Sequence, residues 1–155
     1  MAHIHEKIDF TVEVFVVYQN KVLLRKHDKY KIWLSVGGHI ELDEDPNQAA
    51  VREVKEETGL DIKIAGGNWE DKDTEGYQEL IPPKFLNRHR INDTHEHVTL
   101  VYFGRAATDK ITQGTDEVSA EMRWFASAEL DDFSYNIREK IKNYAHSALE
   151  ELGEK

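Results

Sequence analysis

GGHIELDEDPNQAAVREVKEETGL, residues 37–60, contains a helix whose two ends are written in the sequence. Asp45 can cap it, Pro46 suits the first helical position, and Gln48 stands where a capping-box partner belongs. It ends at Thr58-Gly59, because glycine accepts the left-handed conformation that closes a helix. Between those limits Glu53, Glu56 and Glu57 are spaced i, i+3, i+4, so three carboxylates share one face. Ala50, Val51, Val54 and Thr58 fall on the adjoining face, which is expected to pack on a sheet.

Ionised carboxylates crowded together repel one another unless a cation sits among them. A cluster of hard oxygen donors suits Mg²⁺, or Mn²⁺ in its place. An acidic helix face is more often simply solvated, and the frame around these acids is what argues otherwise. Gly38, five residues, Glu44, seven residues, then Arg52-Glu53-Val54-Lys55-Glu56-Glu57-Thr58-Gly59-Leu60 resembles the signature of the Nudix hydrolases, with every fixed position filled. The resemblance implies an α/β fold, an α/β/α sandwich with a mixed β-sheet between helices. It also implies metal-dependent hydrolysis of a pyrophosphate bond in a nucleoside diphosphate linked to another moiety, such as a nucleoside triphosphate, a nucleotide sugar or a dinucleoside polyphosphate. Glu53, Glu56 and Glu57 would hold the metal with the Gly37 or Gly38 carbonyl. Arg52 would orient a glutamate by a charge-assisted bond, and Glu44 would be a weaker outer ligand. The alternative function is a Nudix-fold nucleotide-sensing or regulatory module without turnover, in which the box is usually eroded; here it is intact.

The 155 residues suit one domain, 1–155, with residues 1–8 as a flexible lead. His3 and His5 in that lead are assigned no function. Cysteine is absent, so neither disulfides nor thiolate metal sites are available. With no long apolar run and no signal-peptide pattern, a cytoplasmic protein without membrane contact is the expectation. A formal charge of −10 argues against a nucleic-acid polymer as partner and leaves a small nucleotide-type substrate. A homodimer is left open.

Upstream of the box, DFTVEVFVVY (9–18) reads as a strand, and KVLLRKH (21–27) returns from a turn at 19–21 as its hairpin partner. Arg25 and Lys26 end that second strand, and only one of them can face a cleft; the family resemblance makes either a phosphate contact. Trp33-Leu34 is read as leading into a strand that runs to Gly37-Gly38. Downstream, DIKIAGGNW (61–69) resembles a strand broken at Gly66-Gly67, and residues 70–80 read as a charged loop. Arg88, His89 and Arg90 form the densest cationic cluster and are candidates for a phosphate contact.

HEHVTLVYFGR (95–105) is a clear strand on which His95, His97, Thr99, Val101 and Phe103 share a face. A His-x-His pair can hold Zn²⁺, but no third nitrogen or sulfur ligand is evident in the sequence. The pair is therefore read as substrate hydrogen bonding beside a plain structural role. After a turn at Gln113-Gly114, Met122–Phe125 is strand-like and enters a short helix near Ser127. By resemblance to MutT-like enzymes, Glu121 is a further metal ligand or the general base, with Glu117 the runner-up, and Glu53 and Glu56 also remain open as base. Tyr135–Leu152 carries an amphipathic stripe expected to cover the sheet. Asn136 at its start stands roughly where such enzymes place a base-reading asparagine. Substrate markers are mixed: Tyr77 matches a position often tyrosine in dinucleoside-polyphosphate hydrolases, whereas the proline typical of ADP-ribose pyrophosphatases is missing.

Overall fold

The computed structural model describes residues 6–67, 74–112 and 121–154. His3, His5, the turn at Gln113-Gly114, Glu117 and part of the charged loop lie outside the described residues. The elements in chain order are β1 (Ile8–Tyr18), β2 (Lys21–Lys26), β3 (Trp33–Leu34), β4 (Val36–His39), α1 (Pro46–Thr58), β5 (Ile62–Ile64), β6 (Phe85–Asn92), β7 (His95–Ala106), β8 (Met122–Ala126), α2 (Ser127–Leu130), a 3₁₀ turn (Phe133–Tyr135) and α3 (Glu139–Leu152).

β1 and β7 are the spine of one mixed sheet, paired in parallel from Ile8↔Glu96 to Val17↔Arg105. The other pairings are antiparallel: β2 and β4 share one side of β1, β5 and β6 share the far side of β7, and β3 and β8 join β2. Both faces of the spine are covered, which explains why β1 is apolar almost throughout rather than strictly alternating. Val12, Val14 and Val16 pack toward Ala49, Ala50 and Val54 of α1. Phe15 and Val17 face the other way, toward Ile141, Ala145 and Ala148 of α3. The result is the expected three-layer α/β architecture, with α1 and α3 on opposite faces.

Four expectations about elements are corrected. Trp33-Leu34 is itself a strand against β2, and the chain switches partner at Ser35 so that β4 pairs β1. Residues 85–92, read only as a cationic cluster, form β6, an exposed edge strand. Val51 is 39% exposed, and Ala49 takes the place expected for it in the buried face of α1. The final helix starts at Glu139, not at Tyr135: Asn136 closes the 3₁₀ turn in the left-handed region at φ 53°, which interrupts helix.

Candidate active site

α1 forms as its sequence specifies. The Asp45 side chain accepts from Gln48 N, the Gln48 side chain accepts from Asp45 N, and Gly59 ends the helix at φ 74°. The helix lies against β4, and Gly38 is the point of closest approach. A methyl group there would sit 2.4–2.7 Å from the carboxylate atoms of Glu53, so glycine is required for that carboxylate to lie over the strand.

Arg52 organises the acids. Its Nε and Nη2 clamp Glu44 at 2.9 and 2.6 Å, its Nη1 donates to Glu53 at 3.0 Å and Glu56 at 3.1 Å, and Nη2 also donates to the His39 carbonyl at 3.0 Å. These bonds hold the Glu44 carboxyl below the ordinary carboxylate range and the guanidinium above its own. Glu44, read as an outer ligand, has both oxygens on Arg52 and accepts from Glu41 N as well, so it anchors the arginine. Glu53 and Glu57 are buried, whereas the Glu56 side chain is 57% exposed. Arg25 reaches Glu57, with Nε 3.4 Å from Oε2, so of the two basic residues that end β2 it is Arg25 that faces the acids.

The remaining candidates are dispersed. Lys26 is on the opposite face of β2 from Arg25, over the Trp33 ring at 5.7 Å, with Nζ 4.0 Å from Glu121 Oε2. Glu121 is thus drawn to Lys26, and its backbone carbonyl accepts from Lys26 N. Arg88 is exposed and pairs with Glu96 across the β6–β7 hairpin at 3.5 Å. It is adjacent in register to Val98, so it points away from the face that carries His95 and His97. Asn136 and Tyr77 are exposed, and the Tyr77 hydroxyl donates to Glu79.

A match to the NUDIX domain family spans residues 9–145 and includes the whole of this helix and its arginine network. The chain belongs to the NUDIX family. It is 33% identical to a NUDIX family hydrolase from Clostridium perfringens, with a TM-score of 0.82, covering 93% of this chain and 97% of that one. A MutT NUDIX hydrolase from Burkholderia pseudomallei shares the fold at 18% identity and a TM-score of 0.65, over 95% of this chain and 99% of that one. A Xenopus laevis protein described as an m7GpppN-mRNA hydrolase, NUDT17, is 32% identical over 109 residues, 59% of this chain. The match covers only 36% of that protein. No helix among the described residues is long and apolar enough to cross a membrane.

The Nudix helix supplies an all-oxygen donor set, and Gly38 gives it a backbone it can approach closely, so the residues present fit a hard divalent cation. Sequence reasoning missed two features on the other face of the sheet. Glu13, opposite Gly37 in register, is half-buried and accepts from Ser35 Oγ at 2.5 Å; desolvation pushes its carboxyl above the ordinary range. Asp9 is 1% exposed and lies between histidines: Oδ2 is 3.2 Å from His39 Nε2 and 3.4 Å from His95 Nε2. Burial, followed by the neighbouring His39, His95 and His89 rings, pushes His97 down to about 4, so it is neutral at pH 7. The third ligand that the His-x-His pair lacked in sequence is therefore present in space. The only available signal was the strand register that pairs Asp9 with His97.

Proposed function

We propose that this protein hydrolyses a phosphoanhydride bond in a nucleoside diphosphate linked to a second moiety, using Mg²⁺ or, in its place, Mn²⁺. The observation that carries this reading is the Arg52 network, which fixes Glu53 and Glu56 beside a glycine that leaves room for a carboxylate. Glu53, Glu56, Glu57 and the Gly38 carbonyl are the groups that would hold the metal. When bound, the metal would offset the negative charge of the pyrophosphate and acidify the attacking water.

The chain's own residues set the rest. Arg52, tied down by Glu44, holds two carboxylates in place without being spent on substrate. Arg25, already beside Glu57, is placed to meet a phosphate oxygen at the edge of the acids. A carboxylate must take the proton of the attacking water, and Glu53 and Glu56 are the candidates for that base, since Glu121 lies with Lys26 on the other face of β2. Small substrates suit the charge of −10, since a polymer backbone would meet a repulsive surface. The name of the NUDT17 relative supports including capped dinucleotides among them.

The test is product release from a panel of nucleoside triphosphates, nucleotide sugars, dinucleoside polyphosphates and cap analogues, with Mg²⁺ and with EDTA. Glu56→Gln and Glu57→Gln keep shape and remove charge, and each should lower kcat by about 100-fold or more. Turnover unchanged in excess EDTA, or wild-type rates in both variants, would overturn the reading.

A further inference from the structure

Away from the acids of the Nudix helix, the first residues of β1 and β7 and the end of β4 bring together Asp9, His39, His95 and His97. Ligand atoms of Asp9, His95 and His97 all lie within 4.8 Å of one another. We propose that Asp9, His95 and His97, with His39 against Asp9, form a second metal centre of the zinc type, distinct from the oxygen site of the Nudix helix.

The spacing argues for it. Zinc bonds to imidazole and carboxylate are about 2.0–2.2 Å, so neighbouring ligand atoms of a tetrahedral site are roughly 3.3 Å apart and two imidazole centroids sharing the ion are roughly 5 Å apart. Asp9 Oδ2 is 3.2 Å from His39 Nε2 and 3.4 Å from His95 Nε2. The His39 and His97 ring centroids are 5.1 Å apart and those of His95 and His97 are 5.0 Å apart, with the planes at 82° and 89°. The ligand atoms of Asp9, His95 and His97 can therefore share one ion, with His39 against Asp9 at the edge of the group.

The orientation of His95 argues for it independently. Its Nδ1 is 3.1 Å from the Glu6 carbonyl oxygen, which can only accept, so Nδ1 carries the proton and Nε2 is turned toward Asp9. A backbone carbonyl that accepts from the ring's other N–H and so fixes the tautomer is the usual support of a zinc-bound histidine. Mixed nitrogen and oxygen donors favour Zn²⁺ over Mg²⁺, which prefers oxygen alone. Such an ion would pin three strands together directly behind the box, because His39 follows Gly38 and its carbonyl receives Arg52.

The experiment is a titration of metal-stripped full-length protein with Zn²⁺ alone, read by calorimetry and by thermal unfolding, with no nucleotide present. A single Zn²⁺ per chain and a rise in Tm of about 5 °C or more at saturating metal are expected. His97→Ala and His95→Ala should each weaken binding by about 100-fold or more and remove the Tm shift. The Glu53→Gln, Glu56→Gln, Glu57→Gln triple variant should retain both, which separates this centre from the catalytic proposal. The His3→Ala, His5→Ala variant should also retain both, which excludes the N-terminal histidines as the ligands. Should a histidine variant fail to fold, the wild-type stoichiometry and the two retention variants decide. Absence of stoichiometric Zn²⁺ binding, or its loss in either retention variant, would overturn the proposal.

Discussion

Arg52 touches four acceptors on three segments, Glu44 before the helix, the His39 carbonyl on β4, and Glu53 and Glu56 on its own helix. Removing it leaves the 1%-exposed Glu53 carboxylate without this cation. Arg52→Ala should therefore cost about 2 kcal/mol or more of stability by denaturant unfolding, as well as turnover. Arg52→Lys should recover little of either, because a point charge cannot clamp both Glu44 oxygens while reaching Nη1's two partners. A second expectation concerns Gly38: an alanine methyl would collide with the Glu53 carboxylate, so Gly38→Ala should lower kcat by about 10-fold or more while far-ultraviolet circular dichroism stays unchanged. The acids and Arg52 were legible in the sequence because they sit on one helix, where spacing alone decides who shares a face. Glu13, Asp9 and His39 were not, because they meet their partners through strand register between segments far apart in the chain. Glu121 was placed by resemblance, and the structure sets its carboxylate beside Lys26, a contact that no local pattern announces.

Helix α1 was readable to the residue because caps are local chemistry: the reciprocal Asp45 and Gln48 bonds and the left-handed Gly59 are all contained in a short stretch. Gly59 also does something the sequence did not reveal. An added methyl would lie 2.1 Å from Thr112 Oγ1, and Thr112 N donates to the Thr58 carbonyl, so the helix end doubles as a docking point for the chain after β7. Gly59→Ala combines positive φ with that clash and should cost about 1–3 kcal/mol in chemical denaturation. Lys55→Ala on the same helix removes only exposed contacts to Asp61 and the Gly59 carbonyl, and should stay within about 0.5 kcal/mol of wild type. Strand β6 escaped the sequence reading because most of its residues are exposed, so it lacks the apolar alternation that marks a half-buried strand. The start of α3 was set too early because Tyr135 and Ile137 are apolar and partly or fully buried, yet they are held by a 3₁₀ turn and an extended link, not by helix.

At the scale of the molecule, the sheet separates two chemistries: the Nudix helix with Arg25 lies on one face, and the Asp9, His39, His95 and His97 cluster lies with α3's core on the other. The face under α1 has its own pH signature through Tyr102, which is 1% exposed beside Val12, Val14 and Ala50. Burial pushes its phenol up to about 12 from the ordinary value of 10. The folded state therefore holds the proton that the unfolded chain releases first, so between pH 10 and 12 the native protein binds more protons and stability falls as pH rises. Below pH 10 this contribution is fully present. Tyr102→Phe keeps the ring and removes the titrating group, so it should lose roughly 1 kcal/mol less than the wild type between pH 9 and pH 11. Denaturant unfolding of both proteins at those two pH values gives the difference directly. Parallel losses in the two would mean that the phenol ionises as freely in the folded protein as in the unfolded chain, and that α1 does not seal this side of the sheet.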